Sequence, residues 1–316
     1  MHWIIRVVLY CIVTLLILFI GASVWLLSYD YVHFIYMDNV GNKLQEYYGN
    51  MYNKFSQEDG NAYHYLPLAF GKGPSESVLT YLPQKTRRPP GFKDSQNYHE
   101  AMKNIGGHLW ELSDVGDFWL SMAPIMQRQL DAILLPLFPG CSFNRIVLHF
   151  RCSDEPFQRH PSYCFAKYSF WKESIERILG VVGANGSPNP SVKILWAFGH
   201  RSNAHNKRAA SIYKDSLLGF LEKTFPFLAV SIDSGSVLQD FQEMRCARYL
   251  VAPPSSFSLL AAVSGHQDMA IIMRSPFTER APLLPKHIIS VENCSVSHDL
   301  IKDYEDTASV ISLLNK

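Results

Sequence analysis

No sign of charge dominates this sequence, in which 29 Lys and Arg face 28 Asp and Glu for a formal net charge of +1 at pH 7. So close a balance gives no general field for holding a polyanion, so no nucleic-acid partner is expected, and any positive potential must come from a local cluster. Cysteines are scarce, six in 316 residues, with no C-x-x-C and no His near a Cys at zinc spacing. No structural metal is therefore expected, and a chain of this size folds without a disulfide framework. Internal repeats and low-complexity tracts are absent too. What is abundant is apolar: 47% hydrophobic residues against 18% charged ones exclude a disordered or collagenous chain. At roughly 100 to 200 residues per domain, the length suggests two domains, each able to bury a core.

Formal charge is missing altogether from residues 7–29, a run of 23 bounded by Arg6 and Asp30. A helix of that length, at about 1.5 Å of rise per residue, spans the roughly 30 Å of bilayer hydrocarbon with some tilt, and Trp3, Trp25 and Tyr29 suit the two interfaces. Arg6 and the amino terminus make the short flank positive, which predicts a type II anchor with residues 1–6 cytosolic and everything after Asp30 on the far side. A cleaved signal peptide and a buried core helix are the competing readings. Five cysteines follow the span, Cys141, Cys152, Cys164, Cys246 and Cys294. That odd number leaves at least one without a partner in the chain. Asn185-Gly-Ser and Asn293-Cys-Ser read as glycosylation acceptors on the luminal side, the first weakened by Pro188.

Beyond the anchor, residues 31–37 have the length and aromatic, β-branched content of a strand. Gly41 and Asn42 then form a turn, and Leu44, Tyr47, Tyr48, Met51 and Phe55 recur at helical spacing. Strand, glycine turn and helix are how a nucleotide-type α/β domain opens. Residues 59–95, rich in Gly and Pro and carrying the basic stretch Lys85 to Arg88, read as an irregular surface loop. Residues 97–137 read as helical. From Asn144 onward apolar strands alternate with helices: strands at 145–150, 192–198, 227–232, 249–252 and 269–273, and helices at 165–179, 206–223, 237–246 and 257–263. That alternation predicts an α/β fold with a parallel, doubly wound sheet and a domain boundary near residue 140, giving Rossmann-like halves at 30–140 and 141–316.

Two stretches carry candidate chemistry. His149, Arg151 and Asp154 follow an apolar strand, at what would be the carboxyl edge of the sheet. Arg151 has the planar fork of donors that chelates a diphosphate, Asp154 can orient it, and His149 can pin the loop or reach the ligand. A strand-end ion pair with a satisfied histidine is the plainer account. Farther on, a short strand runs into Ser255-Ser256-Phe257-Ser258 at the start of a helix, where hydroxyls and backbone N–H groups make an anion site, or where Ser255 or Ser256 is simply an N-cap.

These residues resemble a family. Gly41-Asn42-Lys-Leu-Gln45-Glu-Tyr47 is similar to the opening G-N-Q-L/M-F-Q-Y turn of α1,2-fucosyltransferases. His149-x-Arg151-x-Ser153-Asp154 resembles the H-x-R-R-G/T-D motif of α1,2-, α1,6- and protein-O-fucosyltransferases. Asp240 to Ala262 is similar to their D-F/L-x-x-M-x-x-C segment that ends in S-S-F-S-x-x-A-A. The resemblance implies a GT-B glycosyltransferase, two Rossmann-like domains behind an N-terminal transmembrane helix. It implies inverting transfer of fucose from GDP-fucose to a glycan hydroxyl, with no metal or other cofactor, in the Golgi or another secretory-pathway membrane. By position Arg151 would stabilise the departing GDP, His149 and Asp154 would shape the donor pocket, Ser255, Ser256 and Phe257 would line its nucleotide side, and Gly41 and Asn42 would approach from the first domain. The lack of any Asp-x-Asp triplet agrees with a metal-free mechanism, since arginine and helix N-termini supply the same stabilisation.

The chain also departs from the pattern. Cys152 stands where the family usually has a second arginine, and Ser153 where the α1,2 form has glycine. Arg159 or His160 is a candidate for restoring the missing charge. No spacing singles out a catalytic base among Asp38, His108, Glu111 and Asp114. Use of another nucleotide sugar, or a non-catalytic ectodomain that binds a glycan or protein, are the alternatives.

Overall fold

The computed structural model describes residues 14–15, 32–35, 44, 47–52, 55, 62–67, 82–83, 85–90, 118–139, 144–151, 166–186, 188, 190–197, 204–253, 255–273, 284–291 and 312. They form an α/β protein with two sheets. A small sheet holds β1 (Val32–Ile35), β2 (Ala62–Pro67) and β3 (Lys85–Arg87), with β1 and β2 parallel and β3 antiparallel to β2. The large sheet holds six strands in the order β6-β5-β4-β7-β8-β9, where β4 is Arg145–Arg151, β5 Ser191–Ala197, β6 Val230–Asp233, β7 Tyr249–Ala252, β8 Met269–Met273 and β9 Ile288–Val291. Every neighbouring pair in it is parallel. Taken from β4 as first strand, this is the 3-2-1-4-5-6 order of a Rossmann-type sheet.

Side-chain alternation along the strands divides the core in two. Ile146, Leu148, Phe150, Ile194, Val251 and Ile271 face one side, under α2 (Tyr168–Ala184) and α3 (Ala204–Thr224). Val147, Leu195, Leu250, Ala252, Ala270 and Ile272 face the other, under α1 (Phe118–Leu137), α4 (Val237–Cys246) and α5 (Ser256–Val263). Strands buried on both faces read as near-continuous apolar runs, which is why β7 is buried at all four positions.

Helix α1 lies in the second of these clusters together with Leu44, Tyr47, Tyr48, Met51, Tyr52 and Phe55, so one hydrophobic body runs from the first helical segment to the face of the large sheet. The helix itself buries Phe118, Trp119, Met122, Ile125, Met126, Leu130 and Leu134. At about 1.5–3 kcal/mol for each large side chain fully buried, that stripe outweighs every polar contact the helix makes. Gln129 also donates to Thr86 Oγ1 of β3 at 3.1 Å.

Helix α4 begins with a capping box, in which Ser236 accepts from the Gln239 N–H while the Gln239 side chain accepts from the Ser236 N–H. Helix α2 ends at exposed Asn185 and at Gly186, whose φ of +62° lies in the left-handed region that other residues avoid.

The expected elements after residue 144 recur with small shifts, and α4, β7 and β8 keep their expected bounds. Strand β6 starts three residues later than expected, because a turn closed by the Leu228 N–H on the Phe225 carbonyl precedes it. Residues 59–95 need correction: β2 and β3 lie inside the segment expected to be an irregular loop. Its Gly and Pro content concealed two short strands, one of them a basic edge strand whose charge discourages further pairing. Strand β9 follows β8, which was expected to be the last. Of the expected helix at 97–137, residues 97–117 lie outside the described residues. So do all but Thr14 and Leu15 of the predicted span, and those two are helical and exposed. No helix among the described residues is long and apolar enough to cross a membrane.

Cys246, buried at the end of α4, is disulfide-bonded. Cys246→Ser is expected to cost about 2–4 kcal/mol of unfolding free energy. Urea denaturation of the purified chain checks this: reductant should lower the wild-type midpoint toward that of the variant. Equal midpoints for all three would rule out a stabilising bridge.

Candidate functional site

The large sheet changes winding direction between β4 and β7. Chain leaving β4 returns through α2 to β5 on one side, and chain leaving β7 returns through α5 to β8 on the other. Such a switch point, outside the carboxyl ends of the two strands, is where doubly wound sheets bind ligands. Both candidate stretches sit there. His149 and Arg151 end β4, and Ser255 to Ser258 follow β7.

The two stretches touch. His149 Nδ1 lies 2.6 Å from Ser258 Oγ, linking positions 109 residues apart. The half-buried His149 ring also sits 5.8 Å from that of Phe257, which in turn lies 5.1 Å from buried Phe241 of α4. Histidine is thus held from two sides by α5, one contact polar and one aromatic.

The start of α5 has an unusual N-cap. Ser255 has the extended geometry of a capping residue, and its carbonyl accepts the Leu259 N–H at 2.9 Å, but its side chain makes no cap bond. Its hydroxyl is buried, with 9% of the residue exposed, and has no hydrogen-bond partner. Burying a hydroxyl unpaired costs about 1–3 kcal/mol, and the first N–H groups of a helix have no intrahelical acceptor. Together with the positive end of the helix dipole, these donors make a seat for a phosphate oxygen. Ser255 is thus the N-cap residue, as the plainer account expected, but without the side-chain bond such a cap makes.

Among the other expected site residues, Arg151 is placed by its backbone alone, as the last residue of β4 opposite Ala197, and Ser256 as the first residue of α5. Gly41, Asn42, Cys152, Ser153, Asp154, Arg159 and His160 lie outside the described residues, as do Asp38, His108, Glu111 and Asp114.

Asp240, the first residue of the second motif, supports the turn into α4. Its carboxylate accepts from the Gly235 N–H at 2.8 Å and from the Ser234 hydroxyl at 3.1 Å. Burial pushes this carboxyl above the ordinary aspartate range, against the lowering effect of those two bonds. A carboxyl whose folded pKa exceeds its unfolded one holds more protons when folded, so stability falls as pH rises through the folded value. Asp240→Asn keeps an acceptor for the Gly235 N–H and is expected to remove that fall. Urea midpoints from below the ordinary aspartate pKa of about 3.9 up to neutrality should diverge in favour of the variant. Parallel curves would mean that Asp240 titrates normally.

Two features escaped the sequence reading. Ser258 lay within the motif, but its partnership with His149 leaves no local signal. The second is a buried cluster around Arg245, which is 0% exposed. Its guanidinium donates to Asp131 Oδ1 of α1 at 2.7 Å, to the Ser264 carbonyl at 2.8 Å and to Gln242 Oε1 at 2.7 Å. His266 Nε2 lies 3.1 Å from the same Asp131.

Comparison with family models, with curated proteins and with solved structures finds no match.

Proposed function

We propose that this chain is a membrane-anchored, inverting, metal-independent glycosyltransferase of the GT-B kind that moves fucose from GDP-fucose to a glycan hydroxyl. One observation carries the reading. The two motif stretches, far apart in sequence, meet at the switch point between β4 and β7 through the His149–Ser258 contact. The unpaired Ser255 hydroxyl and the α5 N-terminus beside it have the chemistry to hold a phosphate.

In this reading a second domain formed by the earlier part of the chain closes the cleft, and residues 7–29 anchor the protein in a Golgi membrane. The Cys246 disulfide and the exposed Asn185 acceptor suit the oxidising, glycosylating side of that membrane. The acceptor oxygen attacks the anomeric carbon as the bond from that carbon to the β-phosphate oxygen breaks. The electron pair leaves with GDP, and the hydroxyl proton passes to a base or to water. Arg151 neutralises the departing diphosphate, which lowers the barrier where negative charge grows.

Calorimetry of the purified full chain with GDP, followed by a donor panel in EDTA, tests the proposal. Micromolar GDP binding and EDTA-resistant transfer from GDP-fucose are expected. Turnover of a different nucleotide sugar would change the donor but keep the chemistry. Absence of binding at millimolar GDP would leave a non-catalytic ectodomain, the outcome that Cys152 in place of a second arginine favours.

A further inference from the structure

We infer that the disulfide at Cys246 is closed by Cys141, which staples the connection between α1 and β4 to the end of α4. The inference does not depend on the transferase reading. Cys246 is bonded, and the other cysteines, Cys11, Cys141, Cys152, Cys164 and Cys294, lie outside the described residues. Cys11 belongs to the predicted span. Each of the other four is within three residues of a described one. Chain spans at most about 3.6 Å per residue, so each of the four is tethered near a known point of the sheet. A disulfide in turn needs Cα atoms about 4.4–6.8 Å apart.

Cys246 sits at the amino edge of the large sheet. It ends α4 three residues before Tyr249, the first residue of β7. One residue earlier, the Arg245 carbonyl accepts the His266 N–H at 2.8 Å, where the chain turns into β8. In the last turn of α4, Glu243 accepts from Arg145, the first residue of β4, at 2.8 Å. Cys141 precedes Arg145 by four residues and follows Pro139, at the exit of α1, by two, so it is tethered to this same edge. The other three are tethered elsewhere. Cys152 follows Arg151 at the carboxyl edge, about 20 Å from Arg145 at the rise of a strand. Cys164 precedes Ala166 by two residues, and Ala166 packs with Tyr213 on the face of the sheet opposite to α4. Cys294 follows the carboxyl end of β9, the edge strand, two strands across from β7.

Closure is thiol–disulfide exchange with a protein dithiol oxidant in its disulfide form. One thiolate attacks a sulfur of that disulfide, the second thiolate displaces it, and the oxidant leaves as two thiols, having taken up both electrons and both protons. The bridge encloses β4, β5 and β6 in one covalent loop and leaves Cys152, beside Arg151, out of the pair. It also backs the Asp131–Arg245 ion pair, which joins α1 to α4 at the residue next to Cys246.

Trypsin places the five cysteines beyond the span in five separate peptides, so a mass-spectrometric map of the full chain, alkylated in urea without reductant, tests this directly. Residues 246–248 should appear joined to residues 129–145, and reductant should release both. Residues 246–248 joined instead to 152–159, 160–167 or 287–302, or found alkylated at Cys246, would overturn the inference. Cys141→Ser should lose the joined peptide and leave Cys246 open to alkylation, whereas Cys152→Ser should keep the joined peptide. Its loss from Cys152→Ser would count against the pairing. Should Cys141→Ser fail to fold, the wild-type map decides alone.

Discussion

On the proposed transferase reading, Arg151→Ala is expected to lower kcat for transfer from GDP-fucose by about 100-fold or more, with GDP affinity falling less. Removing one preorganised donor from a site of developing charge costs about 2.7–4 kcal/mol of transition-state stabilisation, which corresponds to that range. The charge on the diphosphate grows as the glycosidic bond breaks, so a guanidinium placed for it is worth more in the transition state than in the bound complex. Cys152 sharpens the expectation. If no second arginine stands beside Arg151, the variant has no neighbour in the motif to share the load. Arg151→Lys keeps a positive charge but not the paired donors, and should fall between wild type and alanine. Steady-state kinetics with a saturating acceptor check this. An Arg151→Ala enzyme with unchanged kcat would remove Arg151 from the mechanism.

The second large effect concerns stability. Asp131→Ala should lower the unfolding free energy by about 3 kcal/mol, because it strands the guanidinium of Arg245, a fully buried side chain. Breaking one side of a buried pair typically costs about 3–5 kcal/mol, and the lower end applies because the Asp131 side chain is 22% exposed and water can reach its place. Burial already pushes the Arg245 pKa down, and Asp131 is what opposes it. The double variant Asp131→Leu with Arg245→Met removes both charges and should recover most of the loss. Urea midpoints decide the matter: a single variant within about 0.5 kcal/mol of wild type would show that Ser264 and Gln242 alone satisfy the arginine.

Much of the large sheet is legible in the sequence because several of its strands are short apolar runs flanked by helices of different periodicity. Tyr249 to Ala252 and Met269 to Met273 are examples. The small sheet is not legible in that way. Lys85 to Arg87 is a strand only because β2 pairs with it, and a Lys-Thr-Arg triplet close to prolines carries no apolar alternation. At the candidate site, His149 and Ser255 stand out as polar residues at strand ends. What a sequence cannot display is that Ser258, and not a water or a backbone carbonyl, meets Nδ1, since that depends on two strands lying side by side. The pairing of Asp131 with Arg245 is hidden for the same reason, with the partners on helices α1 and α4 and neither in a local charge pattern.

The docking of α1 against α4 and α5 also sets a schedule for synthesis. Ser264, which closes the arginine cluster, is translated more than a hundred residues after α1, and at roughly 5–20 residues per second the ribosome needs about ten seconds to reach it. Through that interval the oily stripe of α1 has the earlier residues Leu44 to Phe55 beside it but lacks the partners that α4 and α5 supply. Chaperone demand should therefore peak late, once per polypeptide, and should fall when α5 clears the exit tunnel.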